Sequence, residues 1–72
     1  MKTSEITGEY IKLDQWLKKE DLVSSGGEAH QLIQEGKILF NGAPVHELRK
    51  KLRDQDRVTV EGEEWQIRRV DQ

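Results

Sequence analysis

Apolar residues recur twice at helical spacing in the first half of the chain and alternate at strand spacing in the second. Leu13, Trp16 and Leu17 stand at i, i+3 and i+4, and Ala29, Leu32 and Ile33 repeat that interval. Two short amphipathic helices are therefore predicted, each with one apolar stripe, and residues 21–24 between them bring the stripes together. Leu22 and Val23 should complete the core beside the first helix. Residues 25–28 read S-x-x-E, a capping box in which the Ser25 hydroxyl and the Glu28 carboxylate each satisfy an orphan backbone N–H, with Glu28 also favouring the positive helix end. Gly36 can take the left-handed conformation that closes a helix. Residues 37–40 then leave as a strand, and Asn41-Gly42 supplies the positive φ angles of a type I′ hairpin turn.

Beyond the turn, Pro44 lacks a backbone donor and belongs at a sheet edge. Val45 and Leu48 are expected to be buried, whereas residues 46–51 have no clean period and read as an exposed loop or a distorted edge. Residues 53–56 form a turn, 57–60 a strand, and 61–63 a second turn. Residues 64–68 alternate so that Trp65 and Ile67 share one face, giving two further antiparallel strands. At the other end the first eight residues read as a polar lead, followed by a short strand at 9–12. The predicted fold class is α+β, with two packed helices against a small, curled, antiparallel-rich sheet of four to five strands. Leu13, Trp16, Leu17, Ala29, Leu32, Ile33, Ile38, Phe40, Val58 and Val60 should share one core, and both tryptophans should face it.

Length and composition narrow the setting. With 72 residues and no cysteine, the chain is expected to be a single domain, 1–72, with a modest core and no disulfide. A reducing, cytoplasmic location fits that composition. The opening MKTSEITGEY has no apolar run of signal-peptide length, and no window approaches the ~20 apolar residues that span a membrane, so a soluble protein without a membrane partner is expected.

The net charge of −2 is not the basic balance usual for nucleic-acid binders, which makes its distribution more informative than its sum. Glu5, Glu9, Glu61, Glu63, Glu64 and Asp71 lie near the termini, while Arg49, Lys50, Lys51 and Arg53 crowd into five positions. On the first helix Lys18 and Lys19 lie on the solvent side. On the second the exposed arc centres on Gly27, Gln31 and Gln34, with His30 on one flank and Glu28 and Glu35 on the other. An anionic partner would meet the side of His30, Gln34 and Lys37. Gly26 and Gly27 leave the first N–H groups of this helix uncovered, as at an anion site, but the spacing and Lys-Ser/Thr ending of a P-loop are missing.

Other chemistry finds little support. His30 and His46 stand 16 positions apart without a cysteine, unlike any zinc spacing. No nucleophile motif occurs, and the carboxylates sit in mixed charge runs rather than as a poised pair. Neither an enzyme nor a cofactor is expected.

Taken together, KLDQWL, SSGGEAHQLIQEGKILFNG and LRKKLRDQDRVTV resemble the S4-type RNA-binding domain, the alpha-L motif. In that family a basic residue and Leu-Asp open the first helix. A Ser/Thr-capped second helix follows, with Ala and a Leu-Ile pair, then Gly, a strand ending in Val-Asn-Gly, and a later Gly-Asp before the closing strand. The resemblance covers about residues 10–61, and an extra strand at 63–70 is similar to small stand-alone bacterial members. It implies a non-catalytic, monomeric protein that binds structured RNA, ribosomal or transfer RNA, with a ribosomal subunit as the larger target. Lys12, Lys18, Lys19, Lys37, Arg49, Lys50, Lys51 and Arg53 would contact phosphates, and Ser25, Gly26, Gly27, His30, Gln31, Gln34 and Asn41 would dock by shape.

The departures are specific. Gly26 stands where members often have arginine, His30 where a basic residue is common, Lys12 for the usual arginine, and Gln55 for the glycine before Asp56. A protein-interaction adaptor that keeps the fold without the RNA is the alternative.

Overall fold

The computed structural model describes residues 1–70; Asp71, counted above among the terminal acids, lies outside them. The elements in chain order are β1 (Lys2–Ile6), β2 (Ile11–Lys12), α1 (Leu13–Lys19), α2 (Gly26–Gln34), β3 (Ile38–Phe40), β4 (Ala43–Pro44), β5 (Lys51–Leu52), β6 (Arg57–Val60) and β7 (Glu63–Arg69). A five-stranded sheet runs β1-β7-β6-β3-β4, and β2 pairs with β5 as a separate two-stranded ladder. This is the expected S4-like α+β architecture.

The helix ends follow local chemistry. Ser25 Oγ accepts the Glu28 N–H at 3.3 Å, but the Glu28 carboxylate reaches Ser24, accepting from its N–H at 3.1 Å and its hydroxyl at 3.3 Å. The capping box is thus displaced by one residue on its acidic side. At the other end the Gly36 N–H donates to Ile33 O (3.1 Å) and the Lys37 N–H to Leu32 O (3.0 Å), a Schellman closure with Gly36 at φ 71°. α1 closes the same way through Asp21 N–H to Lys18 O (3.0 Å) and Leu22 N–H to Leu17 O (2.9 Å), with Asp21 at φ 60°. Asn41 (48°) and Gly42 (89°) have the positive φ pair of a type I′ turn, and so do Glu61 (50°) and Gly62 (86°). The second turn leads into β7, which pairs antiparallel with β6.

The core gathers both helix stripes and the inward positions of the strands. Of the ten residues predicted to share it, nine are buried; Phe40 is half-buried and packs against the cluster. Trp16 and Trp65 meet edge to face, with ring centroids 5.5 Å apart. Val23 and Val45 are buried, whereas Leu22 and Leu48 pack on the margin. Pro44 lies in β4, one of the two edge strands of the five-stranded sheet.

Two features differ from the sequence-based expectation. The polar lead is a strand: β1 lies parallel to β7, with Lys2 opposite Trp65 and Ile6 opposite Arg69, and it buries Ser4 and Ile6. Residues 46–51 are not simply a loop, because their end forms β5, with Leu52 buried and Ile11 and Lys12 opposite Leu52 and Lys51. Periodicity missed both, since β1 offers one apolar side chain and β2 and β5 have two residues each.

The new strand also explains the one buried polar residue among those described. Trp16 Nε1 donates to Ser4 Oγ at 2.9 Å, and Ser4 Oγ donates to Glu20 Oε2 at 2.6 Å. Lys19 Nζ donates to the same carboxylate oxygen at 2.8 Å. Burial pushes the Glu20 carboxyl up, but hydrogen bonds from Lys19 and Ser4 and the charges of Lys19 and Lys2 outweigh it, so its pKa falls below the ordinary value of 4.5. A depressed carboxyl pKa gives stability that is present above the unfolded value and lost as pH falls through the folded one. Melting temperatures of the wild type and Glu20→Gln are therefore expected to differ above pH 4.5 and to converge below it. A constant difference down to pH 3 would contradict the assignment.

Gln55, at the turn position where glycine is usual in the family it resembles, has φ 73° while its N–H donates to Ile67 O at 2.7 Å. Left-handed backbone costs a non-glycine residue about 1–2 kcal/mol, and glycine gives back about 0.5–1 kcal/mol in unfolded-state entropy. Gln55→Gly is expected to raise the melting temperature by a few degrees, at ~4–8 °C per kcal/mol for a domain of this size. A lower melting temperature would contradict that balance.

Candidate nucleic-acid interface

The basic residues of the middle of the chain are organised by the start of α1. Lys12 occupies the position before the helix without a side-chain cap. The first helical N–H groups are taken instead by the following loop, Leu13 N–H to Lys50 O at 2.8 Å and Asp14 N–H to Leu48 O at 3.1 Å. These bonds and the β2–β5 ladder fix residues 48–52 against the helix. Asp14 Oδ1 is buried there without a hydrogen-bond partner.

Strand alternation then sorts the side chains. Ile11 and Leu52 turn toward the core, so Lys12 and Lys51, directly opposite each other, share the outer face. Extending that alternation by one residue adds Tyr10 and Arg53. Tyr10 is 40 % exposed, with Lys51 Nζ 4.8 Å and Arg53 Cζ 5.8 Å from its ring centroid. Close by in the chain, Lys50 Nζ lies 4.6 Å from the centroid of Phe40. Tyr10 is absent from the sequence-derived site residues. Its signal was the Tyr-Ile-Lys alternation, in which an inward Ile11 sends both neighbours outward.

Ion pairing separates the cations into two groups. Lys2 pairs with Glu63 (3.1 Å), Lys19 with Glu20 (2.8 Å) and Lys37 with Glu35 (3.3 Å). Lys12, Lys18, Arg49, Lys50, Lys51 and Arg53 have no carboxylate within 4.0 Å among the described residues, nor do Arg57 and Arg68 on β6 and β7. Two like charges opposed across a ladder, as Lys12 and Lys51 are, weaken the pairing.

The second helix is differently equipped. Glu28 sits at its entrance, hydrogen-bonded to Ser24, and its charge opposes another anion beside Ser25, Gly26 and Gly27. His30 and Gln34 are exposed. Gln31 Nε2 donates to Glu35 Oε2 at 3.2 Å, and this bond, with the hydrogen bond and charge of Lys37, holds the Glu35 carboxyl below its ordinary pKa. Lys37 is thereby partly neutralised. Asn41 acts within the fold: its Oδ1 accepts the Arg57 N–H at 2.8 Å and its Nδ2 donates to Asp56 Oδ1 at 3.5 Å. Asp56 Oδ2 accepts the Arg53 N–H at 2.7 Å, which sets the turn behind Arg53. His46 is exposed, and no group of three or more His, Cys, Asp or Glu residues able to hold a metal occurs among the described residues. No helix among the described residues is long and apolar enough to cross a membrane.

The sequence pattern of the S4 domain family matches residues 4–68. A probable ribosome maturation protein, RlbA, of Bacillus subtilis (strain 168) is 39 % identical over 57 residues, which cover 79 % of this chain and 80 % of that protein.

Proposed function

The chain belongs to the S4 domain family, and from that membership we propose that it is a non-catalytic protein binding structured RNA, with ribosomal RNA or a ribosomal particle as its target. The observation that carries the proposal is the group of cations around the start of α1 that have no carboxylate within 4.0 Å among the described residues. On this reading Lys12, Arg49, Lys50, Lys51 and Arg53 neutralise phosphates, Lys18 extends the surface along α1, and Lys19 and Lys37 contribute less because glutamates already hold them. Ser25, Gly26, Gly27, His30, Gln31 and Gln34 would follow the shape of the RNA, and Asn41 would act through the turn it organises. The similarity to a probable ribosome maturation protein supports a ribosomal target over transfer RNA. The reading includes a cytoplasmic location and a monomer.

Phosphate contacts position a protein without requiring a helix in a DNA major groove, and the seven-residue α1 is too short to serve as one. Structured RNA is accordingly expected to bind more tightly than duplex DNA. The net charge of −2 favours the other reading, an adaptor that binds protein. Affinity capture of the tagged protein from cell lysate, with and without ribonuclease, separates the two. Ribosomal RNA or particles recovered only without ribonuclease are expected; a single protein partner unaffected by ribonuclease would sink the RNA reading and leave the adaptor.

A further inference from the structure

The exposed ring of Tyr10 has no role in the core. Among the described large apolar side chains only Tyr10 and Met1 are exposed, and Tyr10, unlike the chain start, is held in place on both sides. Its chain neighbour Ile11 packs against the core and pairs with Leu52, while Lys51 and Arg53 lie against its ring at 4.8 and 5.8 Å. Beside it lies an open groove of about 300 Å³, lined also by Glu5, Ile6, Thr7, Ile11 and Lys19, whose one acid, Glu5, shares it with a lysine. An aromatic ring oriented by cations, next to free space, meets the requirements of a base-stacking surface: a flat π face, and positive charge where the flanking phosphates must lie.

We propose that Tyr10 stacks on an unpaired nucleobase while Lys12, Lys51 and Arg53 hold the phosphates on either side of it. This rests on the RNA-binding reading and sharpens it: the RNA feature recognised at this face is a looped-out or unpaired nucleotide next to a helix, not an uninterrupted duplex. Paired bases are stacked on one another and offer no free face to a side chain, so the ring discriminates between the two forms of RNA. Lys51 and Arg53 neutralise the sugar-phosphate backbone that brings the base to the ring. Removing the phenol oxygen alone leaves the stacking surface intact.

The test uses two RNA hairpins with the same ten-base-pair stem, one closed by six adenosines and the other by a hexaethylene glycol bridge, measured by fluorescence anisotropy at fixed salt. The 72-residue wild type is expected to prefer the adenosine loop. Tyr10→Ala should weaken binding of that hairpin by about 5- to 150-fold, the range for losing one base–aromatic stack, and leave the bridged stem unchanged. Tyr10→Phe should bind both as the wild type does. If Tyr10→Ala binds the looped hairpin as tightly as the wild type, or loses both hairpins alike, the stacking role is wrong while RNA binding stands. A wild type that binds neither hairpin overturns the RNA-binding reading and the stacking role with it. Tyr10 is exposed, so an unchanged melting temperature is expected for both variants.

Discussion

Trp16→Ala is expected to remove a large share of the stability of this protein, enough to unfold it at the lower end of the range for its size. The indole is fully buried between the helix stripes and the sheet, edge-on to Trp65 at 5.5 Å. Truncating a buried tryptophan costs about 3–5 kcal/mol through lost transfer energy and the cavity left behind. A 72-residue chain at ~0.05–0.15 kcal/mol per residue has roughly 4–11 kcal/mol in all. At ~4–8 °C per kcal/mol, the melting temperature should fall by about 12–40 °C. Trp16→Phe separates volume from hydrogen bonding: it keeps an aromatic ring but removes the donor to Ser4 Oγ at 2.9 Å, so a smaller loss of about 1–3 kcal/mol is expected. Near-ultraviolet circular dichroism and thermal melts measure both. A Trp16→Ala variant melting within a few degrees of the wild type would mean that the indole is not the centre of the core.

Replacing Lys12, Lys51 and Arg53 together by alanine is expected to abolish most RNA binding without cost to the fold. Each cation that neutralises a phosphate contributes ~0.7–0.9 to the slope of log K against log salt, so losing three should flatten the slope by about 2–3 and, at ~0.1 M salt, weaken binding by roughly a hundredfold or more. Stability should be unchanged or slightly higher, because Lys12 and Lys51 oppose each other across the ladder and like charges there are destabilising. A control follows from the ion pairs. Lys2, Lys19 and Lys37 are already held by glutamates at 3.1, 2.8 and 3.3 Å, so replacing those three should change affinity and salt slope much less. Equal losses for the two triple variants would show that binding follows total charge, and the assigned face would be wrong.

These two expectations draw on different parts of the chain, and the parts differ in how far the sequence discloses them. The helix stripes, the caps at Ser25 and Gly36 and the Asn41-Gly42 turn are encoded within a few residues, where dihedral preferences and side-chain reach act directly. The alternation of Trp65 and Ile67 is equally local. The basic run 49–53 was visible as composition, but composition does not say which lysines are neutralised. Lys37 and Lys12 look alike in the sequence, yet Lys37 has Glu35 at 3.3 Å and Lys12 has no carboxylate within 4.0 Å among the described residues.

The two helices, their apolar stripes and the two hairpin turns are written locally, because each depends on short-range periodicity or on a backbone conformation that few residues accept. That residues 2–6 form a strand follows only from a long-range pairing. Its parallel partner β7 lies some sixty positions away, and only that pairing buries Ser4 where Trp16 and Glu20 can reach it. Tertiary structure also decided that Tyr10, Lys12, Lys51 and Arg53 share a face. Two-residue strands carry no readable period, and their register is set by the α1 N–H groups seeking carbonyl partners in residues 48–50. Unsatisfied backbone donors at a helix start, more than any side-chain motif, gave this surface its shape.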